Sequence, residues 1–182
     1  MDANGIFDHQ HTLVRLLKDL NPNPKAVEVG VASGRTSEYL LRTIPGLHLT
    51  MVDSWKCPAS GTKKTQADYD RAKATAVART EFAADRRTIL HMPSVDAGNR
   101  MEGLAQHQDL IFIDAHHEYE SVLEDCRAWW HVLKHGGIYC GHDIDSEKDK
   151  RGVWGVRRAV EEFAKDVGRS FVVDKNTWIM VK

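Results

Sequence analysis

Ala26-Val27-Glu28-Val29-Gly30-Val31-Ala32-Ser33-Gly34 is the stretch that decides the fold. Ala26 to Val29 reads as a short buried strand, Gly30 to Gly34 as a turn, and Thr36 to Thr43 as a helix whose apolar surface comes from Tyr39, Leu40 and Leu41. Strand, glycine turn and helix in that order open a βαβ unit. Gly30 and Gly34 let the backbone turn tightly and approach a ligand. A dinucleotide fingerprint would read GxGxxG, and Ala32 stands where its second glycine belongs, so the turn is a poor pyrophosphate cradle. Asp53 lies about 20 residues beyond the turn, where a carboxylate can accept both hydroxyls of an adenosine ribose.

The same alternation continues along the chain. Phe7 to Leu20 has helical spacing and stops at Asn21-Pro22-Asn23-Pro24. Leu47–Val52, Thr88–Met92, Leu110–Ile113 and Ile138–Cys140 read as further strands, with helices at about Gln66–Ala84, Tyr119–Leu133 and Val153–Val167. Phe171–Val173 and Trp178–Val181 make a closing hairpin. The expected fold is α/β: a Rossmann-like, seven-stranded, mostly parallel sheet with helices on both faces and a C-terminal antiparallel hairpin, all in one domain spanning residues 1–182. Ligands of such sheets bind beyond the carboxyl ends of the strands. That singles out Glu28–Gly34, Asp53–Trp55, Pro93–Asp96, Asp114–Tyr119 and Gly141–Asp143.

Composition narrows the partners. The 182 residues carry 25 basic and 26 acidic side chains, a net charge of -1, which argues against a general electrostatic grip on nucleic acid. Cys57, Cys126 and Cys140 form no CxxC pair and suit a reducing, cytoplasmic compartment. Met1 to Asn4 opens no signal peptide, and no apolar run approaches the ~18 residues of a membrane helix. A homodimer is a possible assembly.

The segment Val27–Gly34 with Asp53 resembles the first motifs of class I S-adenosylmethionine-dependent methyltransferases. A second stretch carries Asp114, His116, Tyr119, Val122, Asp125, Trp129, Leu133, Gly136, Gly137, His142 and Asp143. It resembles the IDAxHxYxxVxxDxxxWxxxLxxGGxxxxHD pattern of a subfamily that includes small-molecule and sugar O-methyltransferases. Together they cover most of Ala26 to Asp143, and Gly152-Val153 with Val156, Ala159 and Val160 suits the family's last helix. The resemblance implies that Gly30, Ala32, Ser33 and Gly34 contact the methionine moiety and that Asp53, with Ser54 beside it, holds the ribose. It also implies that Ser94 lies on the adenine side, and that Glu28 and Asp114 complement the positive groups of the cofactor.

In related O-methyltransferases the strand-end positions matching Asp114 and Asp143 ligate magnesium, which lowers the pKa of the acceptor hydroxyl and orients it. His142 departs from that oxygen-rich pattern, so a site of Asp114, His142 and Asp143 would turn from magnesium towards manganese, iron or zinc, or stay empty. His116 is the general-base candidate, its imidazole suited to a proton transfer near neutrality, alongside Asp114. A structural, hydrogen-bonded His116 is the alternative. His142 is open to three roles: ligand, base, or hydrogen-bond partner of Asp114. His117 reads as a solvated neighbour, and His131 and His135 as caps at a helix C-terminus.

Lys56–Asp85 exceeds what joining two strands needs and reads as a lid or acceptor insertion, its Lys56, Lys63, Lys64, Arg71 and Lys73 tolerating an anionic acceptor. The leading expectation is methyl transfer to an oxygen of a small molecule or glycan, with S-adenosylmethionine as donor and a divalent metal as an open question. The alternatives are a nicotinamide-dependent oxidoreductase and a nonenzymatic adenosine-ligand or metal-binding protein.

Overall fold

The computed structural model describes residues 1, 5–59, 62–101, 107–145 and 155–182. Seven strands form one sheet: β1 (Lys25–Val29), β2 (His48–Asp53), β3 (Arg87–His91), β4 (Gln108–Ile113), β5 (Leu133–Gly141), β6 (Phe171–Asp174) and β7 (Thr177–Val181). Their order is β3-β2-β1-β4-β5-β7-β6. The first five are parallel, and β7 pairs antiparallel with both β5 and β6. The expected seven-stranded, mostly parallel sheet with its terminal hairpin is what folds.

Two apolar cores sandwich the sheet, because successive strand side chains point to opposite faces. Val27, Val29, Ile111, Ile113, Tyr139, Trp178 and Met180 face one side, under α4 (Ser94–Arg100), α5 (Tyr119–Trp130) and α6 (Val156–Asp166). Ala26, Leu49, Met51, Leu110, Phe112, Cys140 and Ile179 face the other. There α1 (Asp8–Leu20), α2 (Arg35–Thr43) and α3 (Gln66–Arg79) cover them.

Three expected boundaries shift. The helix expected over Gln66–Ala84 ends at Arg79, and Glu81–Arg86 continues as a 3-10 segment bent at Ala83. Pro93–Asp96, read as a strand-end loop, starts helix α4. The helix expected to reach Leu133 stops at Trp130, and β5 begins at Leu133, with a register shift against β4 between Gln108 and Leu110. Gly152 and Val153, assigned to the last helix, lie outside the described residues, and α6 is described from Val156.

The chain reverses its direction of sheet growth between β1 and β4, and a crevice opens at such a switch point. Here the two strand ends come very close. Gly30 has φ +93°, and a Cβ on it would lie 2.1 Å from the Asp114 carbonyl oxygen. Asp114 N–H donates to Val29 O at 2.8 Å, and Gly30 N–H donates to Val52 O at 2.9 Å, so the three strand ends are laced together here. Gly30→Ala combines a backbone clash with an unfavourable φ. It should lower unfolding free energy by about 3 kcal/mol, seen as an earlier midpoint in urea with an unchanged slope.

Candidate active site

Beyond the carboxyl ends of β1 to β4 lies a cleft of about 590 Å³. The glycine turn contributes Gly30 and Ala32, β2 contributes Asp53, Ser54 and Trp55, and β3 leads into Pro93, Ser94 and Val95. From β4 come Asp114, Ala115 and His116, and from α5 Ser121, Glu124 and Asp125. The volume falls in the range of small-molecule sites.

Asp53 organises this cleft. Its Oδ2 accepts N–H bonds from Val31 (3.0 Å) and Ala32 (2.8 Å), and its Oδ1 accepts one from Trp55 (2.7 Å). Trp55 then closes the loop, donating its indole N–H to Ala32 O at 2.8 Å while almost completely buried. Ala32 (φ 49°) and Trp55 (φ 40°) are both in the left-handed region, which costs an L-residue about 1–2 kcal/mol each and persists only under such over-determination. A carboxylate accepts about four hydrogen bonds. Three are used here, which leaves Oδ1 capacity for a hydroxyl. The Val31 and Ala32 N–H groups that a pyrophosphate would need are turned onto Asp53.

The other cofactor candidates divide into two groups. Gly30, Ala32, Asp53, Ser54, Ser94 and Asp114 line the cleft, whereas Glu28, Ser33 and Gly34 do not. Gly34 instead lets α2 pass α3, since a Cβ there would sit 2.8 Å from Ala76 Cα. Glu28 faces the α2 side of the sheet, accepting the Ser37 hydroxyl in a fully buried position. Burial pushes its carboxyl up to about 8, against the Ser37 hydrogen bond.

Ser94, the first residue of α4, ties that helix to α5. Its Oγ accepts the Trp129 indole N–H at 2.9 Å and bonds the Asp125 carboxylate. Asp125 is buried, which raises it to about 6 despite that bond. Trp129, a motif position fully buried in the core, makes its polar contact here.

At the β4 and β5 ends, Asp114, His117 and Asp143 converge, with one ligand atom of each within 4.8 Å of the others. His117 Nε2 lies 2.9 Å from Asp143 Oδ2 and 3.8 Å from Asp114 Oδ1. Burial opposes a charge on His117, but the two carboxylates outweigh it and raise the ring to about 9. Asp143 reaches the cluster because β5 ends at Gly141 and Asp143 itself turns left-handed, at φ 59°.

His142 stays outside this triad. Its Nδ1 is 3.4 Å from Asp143 Oδ1, and its ring meets His9 edge-on at 4.6 Å. His9 comes from α1, where it bonds the Thr36 hydroxyl (3.0 Å); burial and then the neighbouring His142 lower it to about 4. His116, the expected base, is on the cleft wall with its side chain 62% exposed and Nδ1 3.8 Å from Glu118. Adjacency obscured the distinction between His116 and His117: only the backbone path after β4 decides which imidazole turns inward.

A family profile described as "Methyltransferase domain" matches residues 27–144, well over half of the chain and including every strand end just described. The chain belongs to this methyltransferase family. It is an S-adenosylmethionine-dependent methyltransferase of the EC 2.1.1 class. No curated protein matches the chain by sequence. Among solved structures, the methyltransferase resembles a candidate caffeoyl-CoA O-methyltransferase from Staphylococcus aureus (TM-score 0.70, 18% identity, covering 97% of this chain and 85% of that one). It resembles equally an O-methyltransferase from Bacillus cereus in complex with SAH (TM-score 0.68, 18% identity, 100% and 84%). N-methyltransferase NodS from Bradyrhizobium japonicum also matches (TM-score 0.63, 17% identity, 95% and 92%). At these identities the likeness is one of fold. The family match sets aside the oxidoreductase and nonenzymatic alternatives, in keeping with the closed pyrophosphate cradle.

Glu28 makes the methyltransferase's stability depend on pH in a set direction. A carboxyl whose folded pKa exceeds its unfolded one binds more protons folded than unfolded, so its contribution is most favourable below pH ~4.5 and declines until about 8. Glu28→Gln keeps the shape and removes the titration. Relative to wild type, its melting temperature should rise progressively between those pH values and level off above. A pH-independent difference would contradict this reading.

Proposed function

We propose that this methyltransferase transfers the methyl group of S-adenosylmethionine to an oxygen of a small molecule or glycan, with a divalent metal held by Asp114, His117 and Asp143. The observation that carries the reading is Asp114, which belongs both to the cleft wall and to the three-ligand cluster. A donor site and an acceptor-activating site thereby share an edge.

The residues fit both groups. The cleft has room for a nucleoside with an amino acid tail, Asp53 keeps acceptor capacity on Oδ1, and Asp114 supplies negative charge near the turn. Two carboxylates and an imidazole with half-buried side chains are a mixed oxygen and nitrogen set, which favours manganese, iron or zinc over magnesium. S-adenosylmethionine supplies an electrophilic methyl group, and a bound metal lowers the pKa of an acceptor hydroxyl and orients it. The protein's own task is to align donor and acceptor for in-line displacement. Asp53 and the glycine turn fix one side of that alignment, and the β4 and β5 ends fix the other. His116 stands on the cleft wall as the group to take the acceptor's proton.

The 56–85 segment supplies the remaining wall through Lys56, Pro58, Lys64, Asp68, Tyr69 and Ala72. Lys64 lies over the Tyr69 ring, 5.9 Å from its centre. A cation above an aromatic floor suits a flat or anionic acceptor. In support, the S. aureus and B. cereus proteins that share the fold are described as O-methyltransferases. No described helix is long and apolar enough to cross a membrane.

Pools of phenols, sugars and their phosphates, incubated with methyl-labelled S-adenosylmethionine, should yield an O-methylated product. EDTA should abolish turnover and Asp143→Ala should lower kcat/KM by about 100-fold or more, roughly 2.7 kcal/mol of transition-state stabilisation. Full turnover in both would remove the metal from the mechanism. Labelled product on nitrogen alone would overturn the oxygen acceptor.

A further inference from the structure

The β6–β7 hairpin turns through Lys175 and Asn176, far from the cluster in sequence but against it in space. Asn176 Nδ2 donates to Asp143 Oδ1 at 3.0 Å, and its Oδ1 accepts Asp145 N–H at 2.8 Å. Its main-chain carbonyl accepts Ile144 N–H at 3.4 Å. The Asp145 contact fixes which end of the amide faces Asp143, because only Oδ1 can accept and only Nδ2 can donate. Asn176 thus grips the post-β5 segment on both sides of Ile144 and holds one oxygen of Asp143. The other, Oδ2, is the oxygen 2.9 Å from His117.

The turn is anchored in its own right. Asp174 accepts from the Thr12 hydroxyl (2.8 Å) and from Arg15 (2.9 Å), while Lys175, at φ 57°, reaches Asp8 at 3.2 Å. All three partners belong to α1, the helix whose His9 packs on His142. The clamp on Asp143 is therefore tied through the hairpin turn to α1.

We infer that Asn176 is a positioning residue of the proposed metal site, holding Asp143 in the left-handed conformation and rotamer that turn its second oxygen towards His117 and Asp114. The inference rests on the metal reading of that cluster and adds to it a residue from the C-terminal hairpin, outside the 27–144 family match. Hydrogen-bond partners of metal ligands commonly govern affinity by about 10–100-fold.

The test measures Mn²⁺ binding to the full chain by the EPR signal of the free ion, with the visible spectrum of the Co²⁺-loaded protein as a second readout. Wild type, Asn176→Ala, Asn176→Asp and the control Val172→Thr, at an exposed β6 position of the same hairpin, are compared. Circular dichroism establishes folding of each. Both Asn176 variants should bind Mn²⁺ about 10–100-fold more weakly and shift the Co²⁺ bands, while Val172→Thr stays within about twofold of wild type. Should Asn176→Ala fail to fold, Asn176→Asp carries the comparison, since it keeps the size and removes the donor. Wild-type affinity in a folded Asn176 variant, or equal weakening in Val172→Thr, overturns the positioning role. Absence of Mn²⁺ and Co²⁺ binding by wild type overturns the metal reading itself, an outcome distinct from either.

Discussion

The cleft depends on one carboxylate accepting three backbone N–H groups. Asp53 draws Val31 and Ala32 of the glycine turn and Trp55 of the following loop onto a single point at the end of β2. Hydrogen bonds to an ionised acceptor are the strong ones, and three of them offset the two left-handed residues they impose. Without that anchor the turn has no reason to hold Ala32 at positive φ. The same contacts close the turn to a pyrophosphate. A methyltransferase cofactor carries none, so the closed turn is compatible with its chemistry.

The remaining site is assembled from the opposite half of the sheet. Asp114 follows β4, Asp143 follows β5, and His117 bridges them from the approach to α5. Gly155 N–H donates to His117 O at 2.8 Å, so the start of α6 holds the backbone of that bridge. The hairpin turn and α1 then support Asp143 from outside. The cleft and the three-ligand cluster share Asp114 and, among the described residues, no other lining side chain.

Much of this was legible in the sequence because strand ends are read from periodicity and the site lies at strand ends. Asp53 and Asp114 stand out as carboxylates directly after apolar runs. Helix α4 was hidden because Gly98 reads as a loop residue, whereas it serves close packing: a Cβ there would lie 2.8 Å from Ala128 O on α5. The start of β5 was hidden by Gly136 and Gly137, which read as a turn but lie within a strand whose register shifts. Glu28 illustrates a different limit. Its place beside the glycine turn suggested a ligand contact, but strand alternation sends it to the far face, where it meets Ser37. Asn176 was invisible because nothing local marks a hairpin residue that acts on a loop over thirty positions away.

The central claim is that the Asp53-anchored turn is the seat of the methyl donor. Calorimetric titration of S-adenosylhomocysteine into wild type and Asp53→Ala, both verified as folded, tests it most directly. The account predicts one site per chain in wild type and an affinity lower by about tenfold or more in the variant, the scale of a lost charged hydrogen bond. Equal affinity in the two proteins, or no binding to wild type, would contradict it.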